Sequence, residues 1–227
     1  MIDTPFELLN EQTAYPPPSK GGVGGGSLGV GLYACILADG DFPTASIPLQ
    51  LLRNAGFVCC CDGAARHWPA ADAIVGDGDS CPPELRHRLH QVDEQEDNDL
   101  TKATRYCIGQ GYRRIAYLGA TGRREDHTLG NISLLVRYEQ TFGIEPLMAT
   151  DHGWFTPARG TTRFRSFPRQ QVSLFNFGCT RFSTHGLRYD GYPYQQWWQG
   201  TLNEALADSF LIEADGPYLV FRTYQAK

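Results

Sequence analysis

The sequence predicts an α/β fold class, with an N-terminal, mostly parallel, Rossmann-like sheet flanked by helices and then a smaller all-β antiparallel sandwich or barrel. Three observations carry this. Between residue 32 and about residue 150, short apolar runs alternate with segments of helical period, the signature of repeated βα units. After about residue 150 only short alternating segments remain, separated by Pro, Gly and Asp. Acidic residues recur in the turns that follow the apolar runs, which in a parallel sheet form one edge.

Taken in order, residues 1–29 form an extension whose Tyr15 to Gly31 stretch is dominated by Pro and Gly, with little to bury. Gly24, Gly26 and Gly29 satisfy the spacing of a dinucleotide fingerprint, yet they precede the first strand instead of following one, so that reading is rejected. Leu32–Ala38 is strand-like, Ile47–Asn54 is helical with Pro48 near its start and Gly56 at its end, and Phe57–Cys61 resumes a buried strand. A short helix near Ala64–Trp68, a strand at Ala73–Val75, a helix opening after Pro82 and Pro83, and a strand near Leu89–Val92 continue the alternation.

Asn98 is placed to cap a helix in which Leu100, Ala103, Thr104, Cys107 and Ile108 recur at three- and four-residue steps, ended by Gly109 and Gly111. Strand Arg114–Leu118 follows. A helix from His127 to about Phe142 is expected to bury Leu129, Ile132, Leu135 and Val136 before a strand at Pro146–Ala149. Thr161–Phe167, Val172–Phe177, Thr180–Thr184, Phe210–Ala214 and Tyr218–Thr223 are the strands of the second region. The boundaries are therefore an extension at 1–29, an α/β domain at 30–150 and a β domain at 151–227.

Composition narrows the function. Of the 227 residues 41% are hydrophobic and 20% charged, as in an ordinary globular chain, and the formal net charge of -5 comes without a Lys/Arg block. Nucleic acid and membrane surfaces are thus not expected partners. Seven cysteines, three of them consecutive at Cys59–Cys61 and none in a C-x-x-C pair, read as small core residues of a reduced, cytoplasmic protein. Neither a secretory leader nor a membrane-spanning apolar run is read from the sequence.

The acidic turns are Asp39 and Asp41, Asp62, Asp77 and Asp79, and Asp126. Carboxylates gathered at one rim repel unless a cation is present, and oxygen donors without Cys or His favour magnesium or calcium over zinc. In Gly76-Asp77-Gly78-Asp79-Ser80 two acids lie two residues apart, so an extended loop aims both to one side while glycines admit a phosphate. A solvated Asp/Gly turn is the competing reading. Gln95 to Lys102 straddles a helix start, where free N–H groups attract phosphate and Thr101 and Lys102 add donors; a capped surface helix is the competing reading here. Gly119 to His127 is a second glycine loop entering a helix, with Arg123 and Arg124 able to fork onto phosphate oxygens, and it lacks the G-K-[ST] ending of a P-loop.

The ordered set GDGDS (76–80), Q-x-x-N-D-L-T-K (95–102) and T-G-x-R-x-D-H-T-L-x-N (121–131) resembles the catalytic domain of the thiamine pyrophosphokinase family, and CCDGAAR at 60–66 resembles its C-x-D-G-A/G-A segment. More loosely, Gly186-Leu187 with Tyr189, and Gly200-Thr201-Leu202-Asn203-Glu204, resemble segments of its second half; Leu202 replaces the family's usual serine, and Arg123 stands where many relatives carry glycine. The resemblance implies an ATP- and Mg2+-binding domain over 30–150 and a thiamine-binding domain over 151–227.

It further implies transfer of a diphosphate from ATP to the hydroxyl of thiamine, giving thiamine diphosphate and AMP, by a homodimer with active sites between subunits. By resemblance Asp77, Asp79 and Asp99 hold magnesium, with Asp62 close by, and Asp126 and Arg124 join them in the catalytic set. Gln95, Thr101, Lys102, Arg124, His127 and Asn131 would serve the nucleotide, and Asn203 and Thr201 would receive thiamine. His127 reads equally as a capping residue, and Trp197-Trp198 as core or interface more readily than as a stacking face. Another magnesium-dependent phosphoryl or nucleotidyl transferase with a different acceptor, or a non-catalytic sensor of nucleotide or thiamine, is the alternative.

Overall fold

The computed structural model describes residues 12–14 and 33–227, in two compact units whose described parts are residues 33–151, and residues 12–14 with 152–227. Most of the 1–29 extension, including the rejected glycine fingerprint, lies outside the described residues.

In the first unit, strands β2 (Ala34–Leu37), β3 (Phe57–Cys61), β4 (Ala73–Gly76), β5 (Leu89–Gln91), β6 (Arg114–Leu118) and β7 (Glu145–Ala149) form a sheet in the order β7-β6-β2-β3-β4-β5. Every pairing among them is parallel. Residues 34–37 of β2 and the whole of β4 are buried, as expected of strands covered on both faces. The strands run outward one way from β2 to β5, then the chain returns to place β6 on the other side of β2. That reversal makes the gap between β2 and β6 a switch point, the place where open α/β sheets receive ligands.

Among the described residues three α-helices flank the sheet: α1 (Ser46–Asn54), α2 (Asp99–Gly109) and α3 (Glu125–Phe142). The two helices read from the sequence near Ala64–Trp68 and after Pro82–Pro83 are 3-10 turns, Asp62–Arg66 and Pro83–Arg88. Helix α1 begins at Ala45, which has no capping side chain of its own; the Asp151 carboxylate instead accepts from Thr44 N–H (2.9 Å), Thr44 Oγ1 (2.5 Å) and Ala45 N–H (3.0 Å). Helices α2 and α3 meet through a buried chain of hydroxyls: Thr101 Oγ1 lies 2.7 Å from the Tyr138 hydroxyl, and Thr104 Oγ1 lies 3.0 Å from that of Tyr117 on β6.

Asn98 caps α2 as the sequence predicts, its Oδ1 accepting from Thr101 N–H at 3.0 Å, while its Nδ2 donates to Asn131 of α3 at 3.1 Å. Replacing it with alanine should cost about 1 kcal/mol. Differential scanning calorimetry of Asn98→Ala is expected to show a midpoint roughly 2–4 °C lower. The stripe of α3 is corrected at two positions: Leu129 is 55% exposed and Ile132 only half-buried, whereas Leu135 and Val136 are buried. The first turns of α3 run beside the cavity described below instead of over the sheet.

In the second unit two antiparallel sheets share one core. One has the order β12-β10-β14-β8 and comprises β8 (Gly153–Arg159), β10 (Gln170–Asn176), β12 (Asn203–Glu204) and β14 (Pro217–Ala226). The other, in the order β1-β9-β13-β11, comprises β1 (Gln12–Ala14), β9 (Thr162–Arg165), β11 (Phe182–His185) and β13 (Ser209–Ala214). Phe164 and Phe210 of one sheet and Val172, Leu174, Tyr218 and Val220 of the other belong to a single buried cluster, which makes the unit a sandwich. β1 corrects the expectation for the extension: residues 12–14 pair antiparallel with β9. All seven cysteines are buried free thiols, as their apolar setting suggests. No helix among the described residues is long and apolar enough to cross a membrane.

Candidate active site

The sheet's C-terminal edge is where the acids arrive. Asp62 follows β3, Asp77 follows β4, and Asp99 opens α2; one carboxylate oxygen from each lies within 4.8 Å of the others. Strand pairing explains the first two, because β3 and β4 are adjacent and parallel, so their ends meet at one rim. Asp62 is 2% exposed and its backbone has φ +25°, a left-handed region that Asp tolerates better than most residues. Its Oδ2 accepts from Ser80 N–H and Oγ, each at 3.0 Å, whereas its Oδ1 is buried with no hydrogen-bond partner. Gly76 makes room for it, since a Cβ at that position would fall 2.7 Å from Cβ of Asp62.

A buried carboxylate oxygen lacking a donor calls for a cation. The three oxygens offer a hard set without nitrogen or sulfur, of the kind that suits magnesium. Lys102, 4% exposed, supplies one positive charge from below: its Nζ lies 3.2 Å from Asp99 Oδ1. Burial raises the Asp99 pKa above the usual carboxylate range, Lys102 pulls it back, and the charges of Asp77 and Asp62 push it up again. Asp79 is outside the trio; its carboxyl is raised chiefly by the charge of Asp77, and its N–H donates to Asp77 Oδ1 at 3.2 Å.

These shifts have a definite sign. Where a folded-state carboxyl pKa is raised, the folded protein binds more protons than the unfolded chain in the window just above the ordinary value of 3.8, so Asp79 and Asp99 weaken the metal-free fold as pH rises through it. A divalent cation takes only the deprotonated form, so the increase in melting temperature on adding magnesium should be largest near neutrality and shrink as pH falls toward that window. Asp97 titrates oppositely, held low first by the hydrogen bond from Arg137. Paired melts with and without magnesium across pH isolate the site's own contribution.

Beside the carboxylates lies a cavity of about 400 Å³, lined by Asp62 and Asp99, by Ala38–Gly40 after β2, by Gly119–Thr121 after β6, and by Arg123, Arg124, His127 and Asn131. It therefore occupies the switch point. The two loops are laced together: Gly40 N–H donates to Gly119 O at 2.6 Å, and any Cβ on Gly40 would fall 2.4 Å from that oxygen. Asn131 ties α3 to the second loop by donating to Ala120 O at 2.8 Å.

Other predicted residues are placed differently. Thr101 is fully buried, its hydroxyl shared between Asn98 and Tyr138, so it serves the fold and has no donor left for a phosphate. Gln95 lies outside the cavity lining, in a loop fastened by Arg105 to Glu94 and Asp97. Arg124 lines the cavity, but its guanidinium is closed on Asp126 through two bonds of 3.1 and 2.5 Å, which lowers the Asp126 pKa. Asp41 stands apart, packed against Gly122. In the second unit Asn203 is buried and clasps the backbone of Tyr189 (2.8 and 3.1 Å), and exposed Thr201 bonds Trp198 O at 2.7 Å. Trp197 packs near Phe177, at 5.3 Å between centroids, while Trp198 is 69% exposed. Residues given no role by sequence reasoning are Ser80, which fixes Asp62, and Arg66, which meets Asp39 at 3.3 Å; both lie inside quoted motifs, GDGDS and CCDGAAR, which was the only signal for them.

Comparison with known proteins gives concordant results. The model of the thiamin pyrophosphokinase catalytic domain matches residues 49–145, and that of the thiamin pyrophosphokinase substrate-binding domain matches residues 153–221. Among curated proteins none matches the chain in sequence. Solved structures with the same fold include thiamine pyrophosphokinase from Bacillus subtilis (18% identity, TM-score 0.69, covering 84% of this chain and 98% of that one). Those from Candida albicans (16%, 0.71, 85% and 90%) and yeast (14%, 0.68, 87% and 88%) are similar. Two successive family models, in family order over both units, together with this fold, place the chain in the thiamin pyrophosphokinase family.

Proposed function

We propose that the protein transfers the terminal diphosphate of ATP to the hydroxyl of thiamine, forming thiamine diphosphate and AMP, as a cytoplasmic homodimer. The observation that carries this reading is the trio Asp62, Asp77 and Asp99 with the unpartnered Asp62 Oδ1, at the rim of a cavity walled by glycine loops. Family membership supplies the acceptor.

Asp62, Asp77 and Asp99 would hold magnesium, with Asp79 beside them. Bound there, magnesium neutralises phosphate oxygens and steadies charge as it shifts to the leaving group. The chain's own residues do the rest. Lys102 opposes the rise that burial imposes on the Asp99 pKa and holds its carboxylate in place. The glycine loops after β2 and β6 let the polyphosphate approach backbone N–H groups, and His127 at the start of α3 adds a donor within the same wall. Attack on the β-phosphorus is in line, so catalysis rests on positioning and on charge complementarity to the transition state. Thiamine is received by the second unit, where Asn203 holds the turn carrying Tyr189 in shape.

Purified protein incubated with thiamine, ATP and magnesium should release AMP and thiamine diphosphate in equal amounts. ADP as product, or turnover only with other alcohols, would favour the alternative transferase; nucleotide binding without turnover would favour the sensor. Sedimentation equilibrium should give twice the chain mass.

A further inference from the structure

Arg124, the arginine expected to grip phosphate, has its fork closed on Asp126. A second pair of guanidiniums stands differently. Arg66 Nη2 and Arg123 Nη1 converge on one oxygen, Asp39 Oδ2, at 3.3 and 3.2 Å. Asp39 and Arg123 both line the cavity, and Arg66 crosses directly over Gly63, the residue after Asp62: a Cβ on Gly63 would fall 2.5 Å from Arg66 Nη2 and 2.7 Å from Asp39 Oδ2. His67 Nε2 stands a further 4.0 Å from Asp39 Oδ1.

Two cations sharing one carboxylate oxygen leave a net positive charge beside the residue that follows Asp62. Their side chains are 46% and 48% exposed, and ion pairs so exposed contribute little to stability, so the pairing is readily exchanged for a better anion. A guanidinium makes stronger paired contacts to phosphate oxygens than two guanidiniums make to one shared carboxylate oxygen. We infer that Arg66 and Arg123 form an anion subsite for the phosphoanhydride oxygens of a nucleoside polyphosphate, and that Asp39 is the internal counter-ion this ligand displaces. The inference rests on the reading that a nucleotide is the diphosphate donor, and it gives Arg123 a binding role.

The test is calorimetric titration of inorganic tripolyphosphate into the full chain, with chelator present so that no divalent ion contributes. Arg123→Ala and Arg66→Ala are each expected to weaken binding about fivefold or more, and Arg123→Lys to lose less. Asp39→Asn should tighten binding about threefold by removing the competitor. Absence of binding to the unaltered chain, unchanged affinity in Arg123→Ala, or weaker binding in a folded Asp39→Asn would overturn the inference. Should Asp39→Asn not fold, the Arg123→Ala titration decides alone. Failure is separable from that of the proposed reaction: an active enzyme with Arg123-independent binding refutes only the subsite, whereas Arg123-dependent binding without thiamine diphosphate formation refutes only the reaction.

Discussion

Asp62→Asn is expected to fold and to lose turnover by at least roughly 10²–10³-fold. The substitution keeps side-chain size and the acceptor facing Ser80, and Asn tolerates the left-handed backbone at this position, φ +25°, which Ala would strain. What it removes is the charge behind Oδ1, the buried oxygen without a donor, at the centre of the trio. kcat/KM for thiamine diphosphate formation, with a melting curve as control, measures the effect, and the magnesium-induced rise in melting temperature should vanish with it. Asp79→Asn, altering an exposed carboxyl outside the trio, should lose less. Equal turnover in Asp62→Asn and the unaltered enzyme would remove the metal from this site.

Lys102→Met is expected to lower kcat by about 10²-fold and to shift the acid limb of the pH profile upward. Lys102 is nearly as buried as Asp62, and its ammonium is the cation bonded to Asp99. The lysine opposes the rise that burial imposes on the Asp99 pKa; with methionine that opposition ends, Asp99 holds its proton to higher pH, and magnesium competes less well. The profile of kcat/KM against pH separates this from simple destabilisation, which would lower the whole curve without moving its limb.

Asp62 and Asp77 were legible in the sequence because they stand just past strand ends, whereas Asp99 was named by resemblance, which put Asp79 in the metal set and Asp62 beside it. Asp62 and Asp77 leave adjacent parallel strands, and Asp99 sits one residue past the predicted cap Asn98. Less visible were features decided by tertiary contact. β8 contains Pro157, which argues against a strand, yet Pro157 is accommodated opposite Leu219 of β14. Residues 12–14 lie near a Pro/Gly tract and become a strand only because β9 offers an edge. Leu129 fits the apolar period of α3, but period cannot tell where a helix passes beyond the sheet it covers. Their places at a helix start and in a glycine loop likewise mark Thr101 and Arg124 as phosphate donors; tertiary contacts turn the first inward to Tyr138 and close the second on Asp126.

The carboxylate that fastens the start of α1 comes from Asp151, more than a hundred positions downstream and the last residue of its unit. Anyone excising the α/β unit for separate expression must therefore cut after that aspartate. A fragment stopped one residue earlier would leave Thr44 and Ala45 without their acceptor and loosen the loop that follows β2, so a boundary chosen by sequence texture alone would damage the wall of the very pocket it was meant to isolate.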